Sequence, residues 1–288
     1  MYALIFALLV NTTGNNMKSL QDTISSLAKE QQFTSGIAFK DLGSGETVCC
    51  SCDEKFHTAS MMKVFVMMYA YHQADSGKLQ LNEPVDVQNE FASIFDGSKF
   101  SVSKNDDGDT TLYAKIGDKV PFTDLMRLMI DRSSNLATDI LVEKLGAKNI
   151  TEFAKSFGCT GTEILRGVED MKAFEAGMND MTTPHDMMMA FEQILNTHLF
   201  SRVSSDAMIQ ILLSQEFNDM LPLGVPKEVK IAHKTGSITG VEHDGGIFFL
   251  PDGRKYVLVV FTKGLTNQGE GREFGAKISK LVFNYESK

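Results

Sequence analysis

Residues 19–30 set Leu20, Ile24, Leu27 and Ala28 at helical spacing, which predicts an amphipathic helix. The spans 33–40 and 47–52 then read as two strands, and Gly43-Ser44-Gly45 between them suits a hairpin turn. From about 56 to 228 the pattern is mostly helical. Its densest apolar run, 60–74, is stopped by Gly77, and 136–145 ends at Gly146. Further helices are predicted over 123–130 and over 184–195, the latter with Pro184 in its first turn. Strands return at 229–235, 246–250 and 256–262, the last two flanking the turn sequence Pro251-Asp252-Gly253-Arg254. A helix over 274–285 closes the chain. Strands at both ends predict one antiparallel sheet built from the two ends of the sequence, in a lobe of residues 19–56 and 229–288. The helical stretch 57–228 is then an inserted second lobe, and the cleft between lobes is a common place for a site.

Composition narrows the function. The chain has 288 residues, enough for one large domain or two intimate lobes, and 43% hydrophobic residues supply a sizeable core. A net charge of −9 with no run of Lys or Arg argues against a nucleic-acid partner, because phosphate binding needs clustered cations. Cys49, Cys50 and Cys52 crowd one apolar run and are read, with Cys159, as packed thiols with no legible disulfide framework. The six histidines form no metal-binding pattern, so no metal or cofactor is expected. The run Tyr2 to Val10 is too short to span a bilayer and resembles the apolar part of a signal peptide, although a basic flank is lacking. Residues 1–18 are therefore a candidate leader and export the expectation, with a start at Met17 as the alternative. No membrane span is expected, and a monomer is.

Three short patterns carry chemistry. Ser60-Met61-Met62-Lys63 is an S-x-x-K at the predicted start of a helix, where residues three apart share a face and Lys63 can reach the Ser60 hydroxyl. A serine hydroxyl needs a base, and a lysine serves only if burial or the positive helix end lowers its pKa. The same pattern occurs at Ser26 and Ser101, on a solvated helix and in a polar loop, but only Ser60 precedes a buried apolar helix able to hold a nucleophile rigidly. Ser133-Ser134-Asn135 lies between two predicted helices; Ser133 offers a proton relay, or merely a helix cap, and Asn135 can bond both a lysine and a substrate amide. Lys234-Thr235-Gly236-Ser237 ends a predicted strand. Lys234 and Thr235 offer a charge and a donor to a substrate carboxylate, and Gly236 permits close approach to the strand. The Ser237 N–H can join that of Ser60 in an oxyanion hole. Each pattern is weak alone, and Ser103-Lys104-Asn105 also fits the second. Together they keep a fixed order, each on a suitable element.

At this point the chain resembles the class A β-lactamase and serine-transpeptidase superfamily. The likeness covers residues 19 to the C-terminus and rests on T-A-S-M-M-K-V, M-I-D-R-S-S-N-L-A-T, N-D-M-T-T-P-H-D-M and H-K-T-G-S-I-T-G. The resemblance implies an α+β fold: a five-stranded antiparallel sheet flanked by helices with an all-helical lobe inserted. It also implies acylation of Ser60 by a small molecule, either a β-lactam or a D-Ala-D-Ala-like peptide.

Two positions depart from the family. The middle motif is S-S-N rather than S-D-N, with Ser134 in place of aspartate. The glutamate that activates the deacylating water in class A enzymes sits between a paired Arg and Asp, for which Arg166 and Asp180 are the candidates. Glu169 and Glu175 both lie between them, Glu169 being favoured and Glu175 retained because Asn179 follows it by four residues. There is no G-x-S-x-G and no H-E-x-x-H. His233 is read as a strand residue rather than a base, and the methionine clusters as helix core. The competing functions are a β-lactam hydrolase, a penicillin-binding D,D-carboxypeptidase or esterase with slow deacylation, and a binder that acylates without turnover.

Overall fold

The computed structural model describes residues 17–287, so nearly all of the candidate leader lies outside the described residues. A helix over 17–29 (α1) precedes the hairpin Thr34–Asp41 (β1) and Thr47–Cys50 (β2). Helices follow at Met62–Asp75 (α2), Phe122–Asp131 (α3), Asn135–Leu145 (α4), Ala147–Ser156 (α5), Met171–Glu175 (α6), Pro184–Ile194 (α7) and Arg202–Leu213 (α8). The chain returns through strands Lys230–Ile238 (β3), Val241–Phe249 (β4) and Lys255–Lys263 (β5) to the helix Gln268–Glu286 (α9). The five strands form one antiparallel sheet in the order β2-β1-β5-β4-β3, so both ends of the sequence build it, as the pattern predicts.

The central strand β5 is buried on both faces and shows the two-residue period of a strand. Tyr256, Leu258 and Val260 join Leu20, Ile24, Phe274 and Ile278 in a core under α1 and α9. Val257, Val259 and Phe261 join the other core, shared with the helical lobe. That lobe is threaded by α2, in which every residue from Met62 to Met68 is buried. A helix apolar all round belongs at the centre of a bundle, and α3, α4, α5 and α8 surround it. Each buried Phe here contributes about 2–3 kcal/mol, so the start of α2 is held by a dense core.

Three expectations need correction. The span 76–121 holds no α-helix: Pro84–Asp86 pairs with Lys119–Pro121, Phe91–Ala92 with Lys99–Phe100, and loops rich in Asp, Gly and Ser, with one 3-10 turn at Leu112–Lys115, connect them. The last helix starts at Gln268, capped by the Asn267 side chain on the Gly269 N–H, because Gly269, Gly271 and Gly275 hide its first turns from the hydrophobic pattern. Cys49 and Cys52 are not free thiols but a disulfide with Cα atoms 5.3 Å apart. Strand β2 ends at Cys50, and Ser51 turns with φ 49°, which brings the two partners of a C-x-x-C together.

Candidate active site

Ser60 lies in a 3-10 turn, Ala59–Met61, that leads into α2, and it is partly exposed. Ala59 before it has φ 44°, a left-handed conformation that a non-glycine residue adopts at a cost. Ser133 and Glu169 share this feature, each with φ 58°. Among the described residues only Ser51 is otherwise in this group, so the strained side-chain-bearing residues cluster here.

Lys63 is fully buried one turn after Ser60. Its Nζ donates to the Ser133 carbonyl at 2.7 Å, to Ser133 Oγ at 3.1 Å and to Asn135 Oδ1 at 3.0 Å. These occupy all three donors of an ammonium, and no hydrogen bond joins it to the Ser60 hydroxyl. In place of the expected Lys63–Ser60 hydrogen bond, the Lys63 ammonium is held by the 133–135 turn. Burial draws the Lys63 pKa down to about 8, partly opposed by the charges of Asp107, Asp139 and Glu169.

Ser133 lies between α3 and α4. Ser134, not Ser133, is the N-cap of α4, accepting from the Ala137 N–H at 3.2 Å. Ser133 Oγ is left to accept from both Lys63 and Lys234, each at 3.1 Å, and keeps its own proton to donate. Asn135 bridges onward: its Nδ2 donates to Glu169 Oε1 at 2.7 Å. Glu169 Oε2 accepts from the Ser103 N–H at 2.8 Å. Glu175 is exposed on α6 and away from this network, which separates the two candidates.

The expected Arg166–Asp180 ion pair does not form. Asp180 Oδ1 accepts instead from the backbone N–H groups of Leu165 and Arg166, at 2.8 and 3.3 Å. The Arg166 guanidinium turns to the Met178 and Gly167 carbonyls and to Asn179 Oδ1, so Asn179 is not a partner of Glu175. The loop carrying Glu169 is pinned all the same, by these main-chain contacts and, further along, by Asp170 accepting from Ser93 Oγ at 2.8 Å and the Lys172–Asp96 ion pair at 2.8 Å.

On the sheet side, β3 runs past the nucleophile. A Cβ on Gly236 would stand 3.2 Å from the Ser60 nitrogen, so the glycine eases the close approach of this strand to the turn. Lys234 is wholly buried, bonded to Ser133 Oγ and to the Thr235 carbonyl at 2.9 Å. Burial, then the neighbouring Lys63, hold its pKa well below the usual lysine range. Ser237 Oγ donates to Glu242 Oε1 at 2.9 Å. His233 is buried against Asp244 at 2.8 Å, facing away from the chemistry as a strand residue.

A cavity of about 570 Å³ opens between the lobes, lined by Ser60, Ser133, Glu169, Thr235 and Ser237 and flanked by Phe174 and Phe217. Lys63, Lys234 and Gly236 lie behind its wall. Sequence reasoning missed Asp107, which caps α4 from a distant loop, and Asp139, one helical turn after Asn135 and bonded through Oδ1 to the Val168 N–H at 2.6 Å. The spacing of Asp139 from Asn135 was a readable signal for the second; nothing local marked the first. Among the described residues no group of three or more His, Cys, Asp or Glu side chains could hold a metal ion, and no helix is long and apolar enough to cross a membrane.

Comparison with known proteins places the chain among relatives. The extended-spectrum β-lactamase PER-1 of Pseudomonas aeruginosa is 26% identical over 286 residues, covering 93% of this chain and 88% of its own. A β-lactamase of Bacteroides uniformis is likewise 26% identical, over 93% and 91% of the two chains. Among solved structures, PBP-A is similar with a TM-score of 0.81 at 27% identity, over 93% of this chain and 96% of that one. A mutant of PBP-A, solved as an acyl-enzyme complex with penicillin G, has a TM-score of 0.77 at 26% identity, over 94% and 97%. Residues 18–285 match the model of the β-lactamase enzyme family, and the chain belongs to that family as a serine β-lactamase-like hydrolase.

Proposed function

We propose that the chain hydrolyses the amide bond of a β-lactam through an acyl-enzyme on Ser60. The observation that carries this reading is the unbroken hydrogen-bonded path Lys234–Ser133–Lys63–Asn135–Glu169 behind a partly exposed serine in a cleft. A lysine drawn down to about 8 is a usable base near neutral pH. Once it loses a proton, Lys63 has a lone pair free for the Ser60 hydroxyl. Ser60 Oγ then bonds to the lactam carbonyl carbon while the N–H groups of Ser60 and Ser237 receive the oxyanion. As the C–N bond breaks, the departing nitrogen takes the Ser133 proton, and the Lys63 ammonium returns to Ser133 Oγ the proton that it took from Ser60. Thr235 and Ser237, with Lys234 behind them, receive the substrate carboxylate. Asn135 bonds its amide, and Gly236 leaves the strand open to it. In the second half-reaction Glu169 accepts a proton from the water that attacks the ester carbonyl; the bond to Ser60 Oγ then breaks, and that proton is passed back to Ser60 as the acid is released.

A second reading has its own support. The likeness to PBP-A, and the absence of the Arg166–Asp180 ion pair beside Glu169, favour a penicillin-binding D,D-carboxypeptidase or esterase that deacylates slowly, or a binder that does not turn over. The disulfide supports the exported location, since such bonds persist outside reducing compartments. One experiment decides among the functions: mixing the protein with a chromogenic cephalosporin while following colour and intact mass. Sustained colour with little adduct supports the hydrolase. One equivalent of colour with a lasting adduct on Ser60 supports the binder. No adduct and no colour would overturn the β-lactam reading.

A further inference from the structure

The α4 N-terminus carries Ser133 and Asn135 into the site, yet its motif has serine where S-D-N has an aspartate. The missing carboxylate is supplied from elsewhere. Asp107, in the loop before α3, accepts from the Asn135 N–H at 2.8 Å through Oδ1. Its Oδ2 accepts from the Leu136 N–H at 2.9 Å, the Ser134 hydroxyl at 3.3 Å and the Tyr113 hydroxyl at 2.9 Å. A helix start has four N–H groups without intrahelical partners. Here Ser134 N–H goes to the Leu128 carbonyl, Ala137 N–H to Ser134 Oγ, and the two between them to Asp107. A carboxylate also complements the positive helix end in a way that the neutral Ser134 does not.

The loop is built to reach this place. A Cβ on Gly108 would stand 2.0 Å from the Arg132 carbonyl oxygen, so the loop presses directly on the residue before Ser133. Asp109 beside it is buried and binds the Arg132 guanidinium at 3.2 Å and the Leu112 N–H at 3.0 Å. The fixed end of the loop and the fixed end of α4 therefore meet at Asp107.

We propose that Asp107 is a positioning residue of the acylation machinery, standing in across space for the aspartate that the S-S-N motif lacks. It seats Ser133 and Asn135 against Lys63 and lends that lysine a nearby negative charge. The proposal rests on the Ser60–Lys63 reading above, but it can be tested without a substrate. The titratable groups facing Lys63 are Asp107, Asp139 and Glu169, with Lys234 beside them, and Asp107 is the largest of the carboxylate influences.

The test compares wild type with Asp107→Asn, Ser134→Asp and the double variant. Two quantities are read: the titration of the Lys63 side chain by NMR of lysine-labelled protein, and kcat/KM against pH with a chromogenic cephalosporin. In Asp107→Asn the Lys63 midpoint falls, the acidic limb of the profile moves down with it, and the plateau drops by between about ten- and a hundredfold as Ser133 and Asn135 lose their seat. In the double variant the carboxylate returns on Ser134's position, and both midpoint and plateau recover most of the loss. Ser134→Asp alone places a second carboxylate beside the first, so the midpoint rises and kcat/KM gains nothing. A Lys63 midpoint unmoved by Asp107→Asn overturns the proposal, as does a double variant no better than the single one or a several-fold gain from Ser134→Asp alone. If no β-lactam acylates the wild type, the proposed function fails while the Lys63 titration still decides the role of Asp107.

Discussion

Asn135 Nδ2 and Glu169 Oε1 lie 2.7 Å apart, and the other end of the same amide holds Lys63. One side chain thus joins the group proposed to activate Ser60 to the group proposed to activate water. The amide can serve both only in the orientation observed, oxygen toward the ammonium and nitrogen toward the carboxylate. Acylation and deacylation therefore share a rigid link, and changes at either end are expected to be felt selectively.

Replacing Glu169 by Gln removes the proton acceptor and keeps the shape. Acylation is expected to remain fast, while deacylation slows by at least about a hundredfold, the lower range for loss of a general base. Stopped-flow kinetics will show a burst followed by little turnover, and intact mass will show one adduct per chain. Turnover at the wild-type rate would remove Glu169 from the reaction. Because Glu175 is exposed on α6, Glu175→Gln is expected to behave like wild type.

The pH dependence follows from Lys63. Its proton must leave before it can act as a base, so kcat/KM is expected to rise with pH and level off above about 8. The stability sign is the reverse of the usual lysine ion pair. The folded pKa lies below the unfolded value, so folding is penalised below about 8 and the penalty is relieved as pH rises toward the ordinary lysine range. A profile that is flat between pH 6 and 9 would mean that Lys63 does not carry the proton.

Much of the fold was legible because local patterns coincide with the elements that matter. The apolar run after Ser60, the inter-helix turn at Ser133 and the strand end at Lys234 each announce their structure within a few residues. Relationships made across space were not legible. Nothing around Asp107 says that it will cap a helix whose first residue is 28 positions away. The Arg166–Asp180 spacing suggested a charge pair, but Asp180 is taken up by main-chain N–H groups. Cys49 and Cys52 have the spacing of a disulfide, yet they read as strand because the turn at Ser51 depends on an unusual φ that the composition does not reveal.

Lys234 is proposed to serve the substrate carboxylate from behind the cavity wall, and its direct partners are Ser133 Oγ and the Thr235 carbonyl. Lys234→Ala is therefore expected to lower kcat/KM by roughly ten- to a hundredfold for a substrate bearing a carboxylate, in line with the loss of about 1.5–3 kcal/mol from a charge-assisted contact. An ester analogue without that carboxylate should lose less, the remainder reflecting the disturbed Ser133. Steady-state kinetics on the two substrates provide the comparison. Equal losses would assign Lys234 to Ser133 alone.

Asp139 tests how the Glu169 loop is held. Its Oδ1 accepts from the Val168 N–H at 2.6 Å, while its Oδ2 is buried with no hydrogen-bond partner. Burial, first among the influences, raises its pKa well above the usual carboxylate range, further helped by the charge of Glu169. A raised carboxyl favours the fold fully at low pH, and that contribution is lost as pH climbs through the folded pKa. Asp139→Asn keeps the acceptor for Val168 and has nothing to ionise. The variant is therefore expected to fold, to keep acylation, and to gain thermal stability over wild type progressively as pH rises from the ordinary carboxylate range upward. Melting temperatures of the two proteins across that range measure the effect. A difference that stays constant with pH would mean that Asp139 is ionised throughout, and the loop would then depend on its charge rather than on its shape.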